Sequence, residues 1–446
     1  MSQTQFADKY VLVVGLGRFG GQIAAARWLT EQGARVTVTD LAPAEKLADS
    51  LAQLADLPIR YRLGGHDERD LDGCDLLVVS PAVPKDRSDF VKAALARGLP
   101  ITAEMNLFVE RCPARRIIGI TGSAGKSTTT AMVGSILEAA RRAGVFPQVW
   151  MGGNIGHSLL ADLTRMTADD AVVLELSSFQ LEDLGTLRWS PPVAVITNIQ
   201  PNHLDRHGTL DLYADAKMNI VRYQGADGIV FIHENDAVVR RYVTAAGADG
   251  RIRECRFEPK FEAFLRLPGR HNQLNAAAAV SACRAIGVSD EIIAQGLGEC
   301  RGLPHRLEFV IERDGVRYYN DSKSTTPEST CIAAEAFAGT PTILLVGGKP
   351  KGASFAEMGR LLARTCKHTI CYGQAGPEIY EEILRGRAPG TPASAVHVST
   401  FAEAVERARQ MAVAGDVVVL SPACASYDEF TNYEERGEAF RRLVSR

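Results

Sequence analysis

Residues 117–129 read IIGITGSAGKSTT, and this stretch constrains the fold more than any other. A short β-branched run over 117–121 leads into a Gly-rich turn, then Lys126 and Ser127, then a run with helical character. Backbone N–H groups of such a turn and of the following helix N-terminus can cradle phosphate oxygens. In that geometry Lys126 reaches the β/γ phosphates and Ser127 holds Mg²⁺. The pattern is T-G-x-x-G-K-S, shorter than the strict G-x-x-x-x-G-K-[ST] loop, because Ile120 stands where that pattern needs Gly. A Gly-rich turn also serves as a plain helix cap; the attached Lys-Ser pair and the preceding strand favour phosphate. A strand–loop–helix of this kind belongs to an α/β fold with a mainly parallel sheet.

The chain has 446 residues, too many for one hydrophobic core, so about three domains are expected. Net charge is −3, which leaves no electrostatic footprint for DNA or RNA. The nine cysteines form no C-x-x-C pair and no regular spacing, as for reduced thiols in the cytosol. The N-terminal MSQTQFADKY lacks the basic and apolar regions of a signal peptide, and no apolar run approaches a membrane span. A cytoplasmic enzyme is expected.

The first region opens with a strand over 10–14, followed by GLGRFG with Gly15, Gly17 and Gly20 in G-x-G-x-x-G spacing. A helix to about Gln32 and a strand over 35–39 ending at Asp40 complete a dinucleotide-like fingerprint. The same glycines suit NAD, another phosphorylated ligand or a purely structural turn. A later strand over 76–80 ends in Ser80-Pro81, at the sheet edge where ligands of open α/β sheets gather. The second region begins near 106. Its near-continuous apolar runs at 171–174 and 193–197 suit a parallel sheet covered on both faces, and they end at Glu175 and Asn198. Residues 270–285 read as an Ala-rich helix with Asn272 and Asn275 near its start. The third region follows GLPHRLE, a Gly/Pro hinge near Gly302, with strands at 317–319, 342–346 and 417–420. NDSKSTTP, GGKPKG and SPACASYDEF stand at their C-terminal ends and suggest a second ligand pocket; 385–393 reads as a loop.

TGSAGKS, ELSSFQ, NIQPNHLDRH, GRHNQLN, PHRLE and NDSKSTTP occur here in the order of the Mur ligases, which the chain resembles over essentially its whole length. The resemblance implies ATP-dependent amide formation in peptidoglycan precursor synthesis. It also implies three α/β domains: a Rossmann-like UDP-sugar domain (1–105), a P-loop ATPase-like ATP domain (106–302) and a Rossmann-like amino-acid domain (303–446). GLGRFG then faces a uridine nucleotide and not NAD. SPACASYDEF, GGKPKG and GLGRFG are most similar to the glutamate-adding branch, which implies UDP-N-acetylmuramoyl-L-alanine and D-glutamate as substrates. L-Glutamate addition and a folylpolyglutamate synthetase-like ligase are the enzyme alternatives. A regulatory nucleotide-binding module is the alternative of a different class, and it leaves the phosphate loop, NDSK and SPACAS unexplained. A monomer is expected.

Residue by residue, the resemblance places ATP against Gly122, Ser123, Ala124, Gly125, Lys126, Ser127, Thr128, Asn272, Arg306 and Asp321. Lys323 approaches the transferring phosphoryl group. Ser127 and Glu175 are hard oxygen ligands for one Mg²⁺; taken alone, Glu175 is also readable as a loop carboxylate. His203 is assigned to a second Mg²⁺ by resemblance only, since a lone histidine is more often an ordinary polar residue and imidazole is not a preferred Mg²⁺ ligand. Lys217, on sequence a solvated helical lysine, aligns with the lysine that Mur ligases carry as a carbamate, an anionic oxygen ligand. Asp205 and His207 shape the loop. Arg18, Phe19, Asp40, Ser80, Asn154 and His203 are assigned to the UDP-sugar, and Thr325, Lys351, Ser426 and Tyr433 to the amino acid. Two glutamate carboxylates need a cation and hydroxyl donors, which Lys351, Thr325 and Ser426 can supply. The chain departs from the common pattern at Ala124 (usually Asn), at Arg18-Phe19 (usually smaller and more hydroxylic) and at Tyr433 (usually Phe).

Overall fold

The computed structural model describes residues 5–17, 20–387 and 394–446 and builds them into three sheets. The first has five parallel strands, Tyr10–Val14, Arg35–Asp40, Arg60–Leu63, Leu76–Val79 and Ile101–Thr102, in the spatial order third, second, first, fourth, fifth. The order reverses between the first and fourth strands, so a crevice opens at their C-terminal ends, where Gly15 and Ser80 lie. This is the Rossmann-like arrangement expected.

The second sheet is wholly parallel, with strands Arg116–Thr121, Val149–Gly153, Ala171–Glu175, Val193–Ile196, Ile229–His233 and Ile252–Cys255. Its spatial order is sixth, fifth, fourth, first, third, second. Val172, Val173 and Leu174 are fully buried because helices cover both faces. The reversal falls between Arg116–Thr121 and Ala171–Glu175, where Ile120 pairs with Glu175. The glycine-rich turn and the carboxylate therefore leave the sheet side by side.

The third sheet is mixed. Glu308–Arg313 runs antiparallel to Val316–Asn320 at one edge, and Val417–Ala423, Thr342–Gly347, His368–Tyr372 and Ser394–His397 continue it in parallel. By packing, the chain divides into two compact units: Met1–Arg256 with Ala277–Gly296, and Phe257–Ala276 with Leu297–Arg446. The first two sheets belong to the first unit. Asn272 groups with the second unit, along with the C-terminal sheet. The nine cysteines are all free thiols. Among the described residues no helix is long and apolar enough to cross a membrane.

Candidate active site

The phosphate-type loop is a sharp turn from Arg116–Thr121 into the helix Lys126–Arg142. Gly122 has φ +146°, and a Cβ there would lie 2.0 Å from Thr197 Oγ1, so only glycine fits. The strand Val193–Ile196 next door continues into residues that hold the loop. Thr197 Oγ1 donates to Ala124 O at 2.6 Å, and Ala124 N donates to Asn198 Oδ1 at 2.9 Å. Asn198 Nδ2 returns a bond to Ala124 O at 3.0 Å, and Ser123 Oγ donates to Gln200 O at 2.8 Å. Ala124 thus uses its backbone alone, in a loop preorganised by Asn198. Lys126 Nζ folds over the loop and donates to Gly122 O (2.9 Å) and Ser123 O (3.1 Å). Ser127 and Thr128 open the helix beside it.

Glu175 is buried at the end of its strand. Asn154 Nδ2 donates to its Oε1 at 2.9 Å, and Asn154 N donates to its carbonyl at 2.8 Å. Glu175 Oε2 is buried with no hydrogen-bond donor among the described residues. A buried, unpaired carboxylate oxygen is costly and calls for a complementary charge. Lys217 comes from the helix Leu210–Arg222 and is 1% exposed, so it is not the solvated lysine that its local sequence suggests. Its Nζ lies 3.3 Å from Thr121 Oγ1 and 4.7 Å from the Tyr213 ring centroid. Burial, reinforced by the charge of Lys126 and opposed by Glu175, pushes its pKa down to about 7. Lys126, Glu175 and Lys217 therefore share one electrostatic environment.

His203 stands at the N-cap of the short helix Leu204–His207 in a left-handed backbone conformation, φ 53°. It is exposed, with its ring 5.3 Å from Phe179 and 6.4 Å from Tyr213. His207 turns inward instead, sharing a hydrogen bond of 3.0 Å with Ser178 Oγ and stacking on Phe179. Among the described residues no three His, Cys, Asp or Glu side chains converge as a metal cage.

At the first sheet, Asp40 accepts from Gly17 N (3.1 Å) and Ala42 N (2.7 Å), so its carboxylate braces the glycine turn. Ser80 sits against Gly15, where a Cβ would meet its Cβ at 3.2 Å. Arg18 and Phe19 lie outside the described residues.

In the second unit, Lys351 Nζ donates to Thr325 Oγ1 at 3.0 Å, which brings two of the four amino-acid candidates together. Ser426 is buried in the SPACAS loop. That loop is stitched to its neighbours: Ala423 N donates to Ser324 O (3.0 Å), and Lys349 and Ala425 form a two-way bridge. Tyr433 opens the last helix, Tyr433–Val444, with Lys323 Nζ 5.7 Å from its ring centroid. Desolvation, with Glu434 beside it, pushes its phenol up to about 12. Arg306 belongs to the same electrostatic neighbourhood as Tyr433 and Asp321. Asp321 is buried, and both its oxygens are used internally, by Leu307 N (3.1 Å) and Ser421 Oγ (2.8 Å). Burial raises its pKa to about 6. Asn272 is buried too, with Nδ2 on Pro268 O at 2.7 Å.

Sequence reading passed over several residues here. Tyr213 lies four positions before Lys217, on the same helix face, and that spacing was a usable signal. Thr121, Phe179 and Arg206 carried none. Arg436 is fully buried; it donates to Ser322 Oγ, Ser322 O and Cys424 O, joining two of the pocket loops.

Three family models match the chain: the MurD-like N-terminal domain over residues 9–103, the Mur ligase middle domain over 120–253 and the Mur ligase glutamate ligase domain over 305–424. The chain belongs to the Mur ligase family. It is 38% identical to the UDP-N-acetylmuramoylalanine–D-glutamate ligase of Pelotomaculum thermopropionicum, with 98% of each chain covered. It is likewise 38% identical to the enzyme of that name from Symbiobacterium thermophilum, with 97% of each covered. Among solved structures, the UDP-N-acetylmuramate-alanine ligase MurC of Thermotoga maritima shares the fold, with a TM-score of 0.53 at 21% identity over 98% of this chain and all of that one.

Proposed function

We propose that this chain joins D-glutamate to UDP-N-acetylmuramoyl-L-alanine, with ATP converted to ADP and phosphate, as a step of peptidoglycan precursor synthesis. The observation that carries this reading is the full-length likeness to two ligases bearing that activity in their names. The substrate carboxylate attacks the γ-phosphorus, the bond to ADP breaks, and an acyl phosphate forms. The glutamate amine then attacks the acyl carbon, the tetrahedral intermediate expels phosphate, and an amide remains. The first step joins two anions, so fixed positive charge is the main requirement.

Lys126 supplies that charge, and the amides of residues 122–128 hold the phosphates. Ser127 and the unpaired Oε2 of Glu175 would hold one Mg²⁺; His203 and Lys217 would hold a second. When bound, Mg²⁺ neutralises phosphoryl oxygens as charge builds on them. Lys217 serves only as a carbamate, formed when its neutral amine adds to CO₂ and releases a proton. Burial supports this, because a pKa near 7 leaves much of the amine neutral at physiological pH. Asn154 fixes Glu175 and reaches toward the UDP-sugar with Asp40 and Ser80. Asn272, Arg306 and Asp321 contact the nucleotide, and Lys323 the phosphoryl group. Lys351, Thr325, Ser426 and Tyr433 receive glutamate. The protein acts as a cytoplasmic monomer.

The test is ADP release and product mass with UDP-N-acetylmuramoyl-L-alanine, ATP, Mg²⁺ and either glutamate enantiomer. Turnover is expected with D-glutamate and not with L-glutamate, alanine or a folate acceptor. Turnover with L-glutamate alone would overturn the stereochemical assignment, and turnover only with a folate acceptor would overturn the substrate class.

A further inference from the structure

We propose that Arg206 is a positioning residue that ties His203 to the turn at residues 80–84, so that engagement of the UDP-sugar at the first sheet sets the geometry around Lys217. The inference rests on the roles given above to Ser80, His203 and Lys217.

The turn is packed directly on the glycine loop of the first sheet. Ser80 N donates to Val14 O and Val83 N to Ser80 O, both at 3.0 Å, and a Cβ on Gly15 would lie 2.8 Å from Val83 Cγ2. A ligand pressing on that crevice therefore presses on this turn. From the central sheet, Arg206 Nη2 donates to Val83 O at 3.2 Å and Nη1 to Ala82 O at 3.5 Å. The exchange is mutual: Arg87 donates to Asp205 O at 3.5 Å and to Arg206 O at 3.4 Å. Lys85, from the same segment, pairs with the buried carboxylate of Asp183 on the helix Ser178–Thr186.

The contacts then run inward. The Arg206 guanidinium lies 5.2 Å from the Phe179 ring centroid, and Phe179 meets His203 edge-on at 5.3 Å. His203 faces Tyr213, whose ring carries Lys217 Nζ at 4.7 Å. His203 holds φ 53°, a strained conformation for a residue with a side chain, and such strain persists only where the surroundings impose it. Its carbonyl is fixed by Arg206 N at 3.1 Å and His207 N at 2.9 Å. Among the described residues Arg206 is thus the one whose backbone holds His203 and whose side chain grips the turn.

Two measurements on the full-length protein decide the matter: steady-state ADP release, and hydrogen exchange of the peptide spanning 199–209 with and without UDP-N-acetylmuramoyl-L-alanine. In the wild type the ligand should slow exchange of 203–207 by about tenfold or more. In Arg206→Ala that protection should vanish, kcat should fall about tenfold and the KM for the UDP-sugar should rise, while the KM for glutamate holds. The melting temperature should stay within about 2 °C. Arg206→Lys should recover part of kcat, and Arg87→Ala combined with Arg206→Ala should cost less than the two separately. No ligand-dependent protection in the wild type, or protection equal in Arg206→Ala, overturns the proposal. Equal loss of activity and melting temperature in Arg206→Ala and Arg206→Lys also overturns it, since that marks a plain fold clamp. A wild type that is protected by the UDP-sugar yet forms no ADP supports the coupling while refuting the reaction assigned above.

Discussion

Glu104 makes folding stability depend on pH in a way that one substitution can isolate. It opens the helix Glu104–Val109, between the last strand of the first sheet and the start of the second. It is buried, its only side-chain donor is the Ser158 hydroxyl, and no cation pairs with it among the described residues. Burial raises its pKa from the ordinary 4.5 to about 7, with Ser158 pulling the other way. Between those values the folded protein keeps a proton that the unfolded chain has released. Stability from this group is therefore full below pH 4.5 and falls as pH climbs to 7. At about 1.4 kcal/mol per pH unit, the window is worth about 3 kcal/mol. Glu104→Gln keeps the shape and the acceptor for Ser158 but cannot ionise. All three tryptophans, Trp28, Trp150 and Trp189, lie in the first unit, so their fluorescence in urea reports the unfolding of the unit that contains Glu104. From pH 5 to pH 8.5 the wild type should lose about 2.5 kcal/mol more than Glu104→Gln. Parallel stability curves would refute the reasoning. They would mean that the positive end of the helix Gly21–Glu31, whose first residue would place an added Cβ 4.0 Å from Glu104 Oε2, favours the carboxylate as much as burial penalises it.

Lys126→Ala removes a charge that strengthens as the phosphoryl group moves, and ADP release should slow by about 10²–10³ with little change in melting temperature; a rate within threefold of wild type would discard the phosphate-loop assignment. Lys217→Ala should be inactive in the same assay, and a short carboxylic acid should restore part of the rate by filling the vacated space with an anionic oxygen; a fully active mutant would show that Lys217 is no ligand. Lys351→Met strips the cation from the pair with Thr325, so the glutamate KM should rise strongly while the KM for ATP holds, because Lys351 is not among the residues assigned to ATP. A lost ATP affinity with an unchanged glutamate KM would reverse the pocket assignments. Discrimination of the wild type against alanine should be on the order of 10³ or more, since alanine leaves the polar groups at Lys351, Thr325 and Ser426 unpaired.

Local sequence determined a good deal. Tyr10–Val14 and Arg270–Ala285 are legible to the residue, because a β-branched run between turns and an Ala-rich run after a Pro-Gly break each admit one backbone conformation. The strand-to-helix turn at 122–125 is largely local, since Gly122 and Gly125 have positive φ, although Thr197 also leaves no room for a side chain at Gly122. The edge strands are a different matter. Arg60–Leu63 and Ile252–Cys255 are part-polar and Ile101–Thr102 has two residues, so none carries a pattern that stands apart from a loop. Grouping Phe257–Ala276 with the C-terminal sheet is invisible to any short window.

For the candidate site, sequence named Lys126, Glu175, His203 and Lys217 through their motifs, but tertiary structure decided what each experiences. Lys217 reads as a solvated lysine within YADAKMNI, yet a helix packed on the central sheet buries it against Thr121 and Tyr213. Asp321 is assigned to ATP through its motif, yet Leu307 N and, one hundred residues on, Ser421 Oγ each occupy one of its oxygens. Arg436 carries no signal in its local sequence, and only the convergence of the Ser322 and Cys424 loops makes it a buried clamp. Backbone preference is settled by neighbours along the chain, whereas desolvation and charge pairing depend on groups that the fold brings together from far apart, and those set how each side chain behaves.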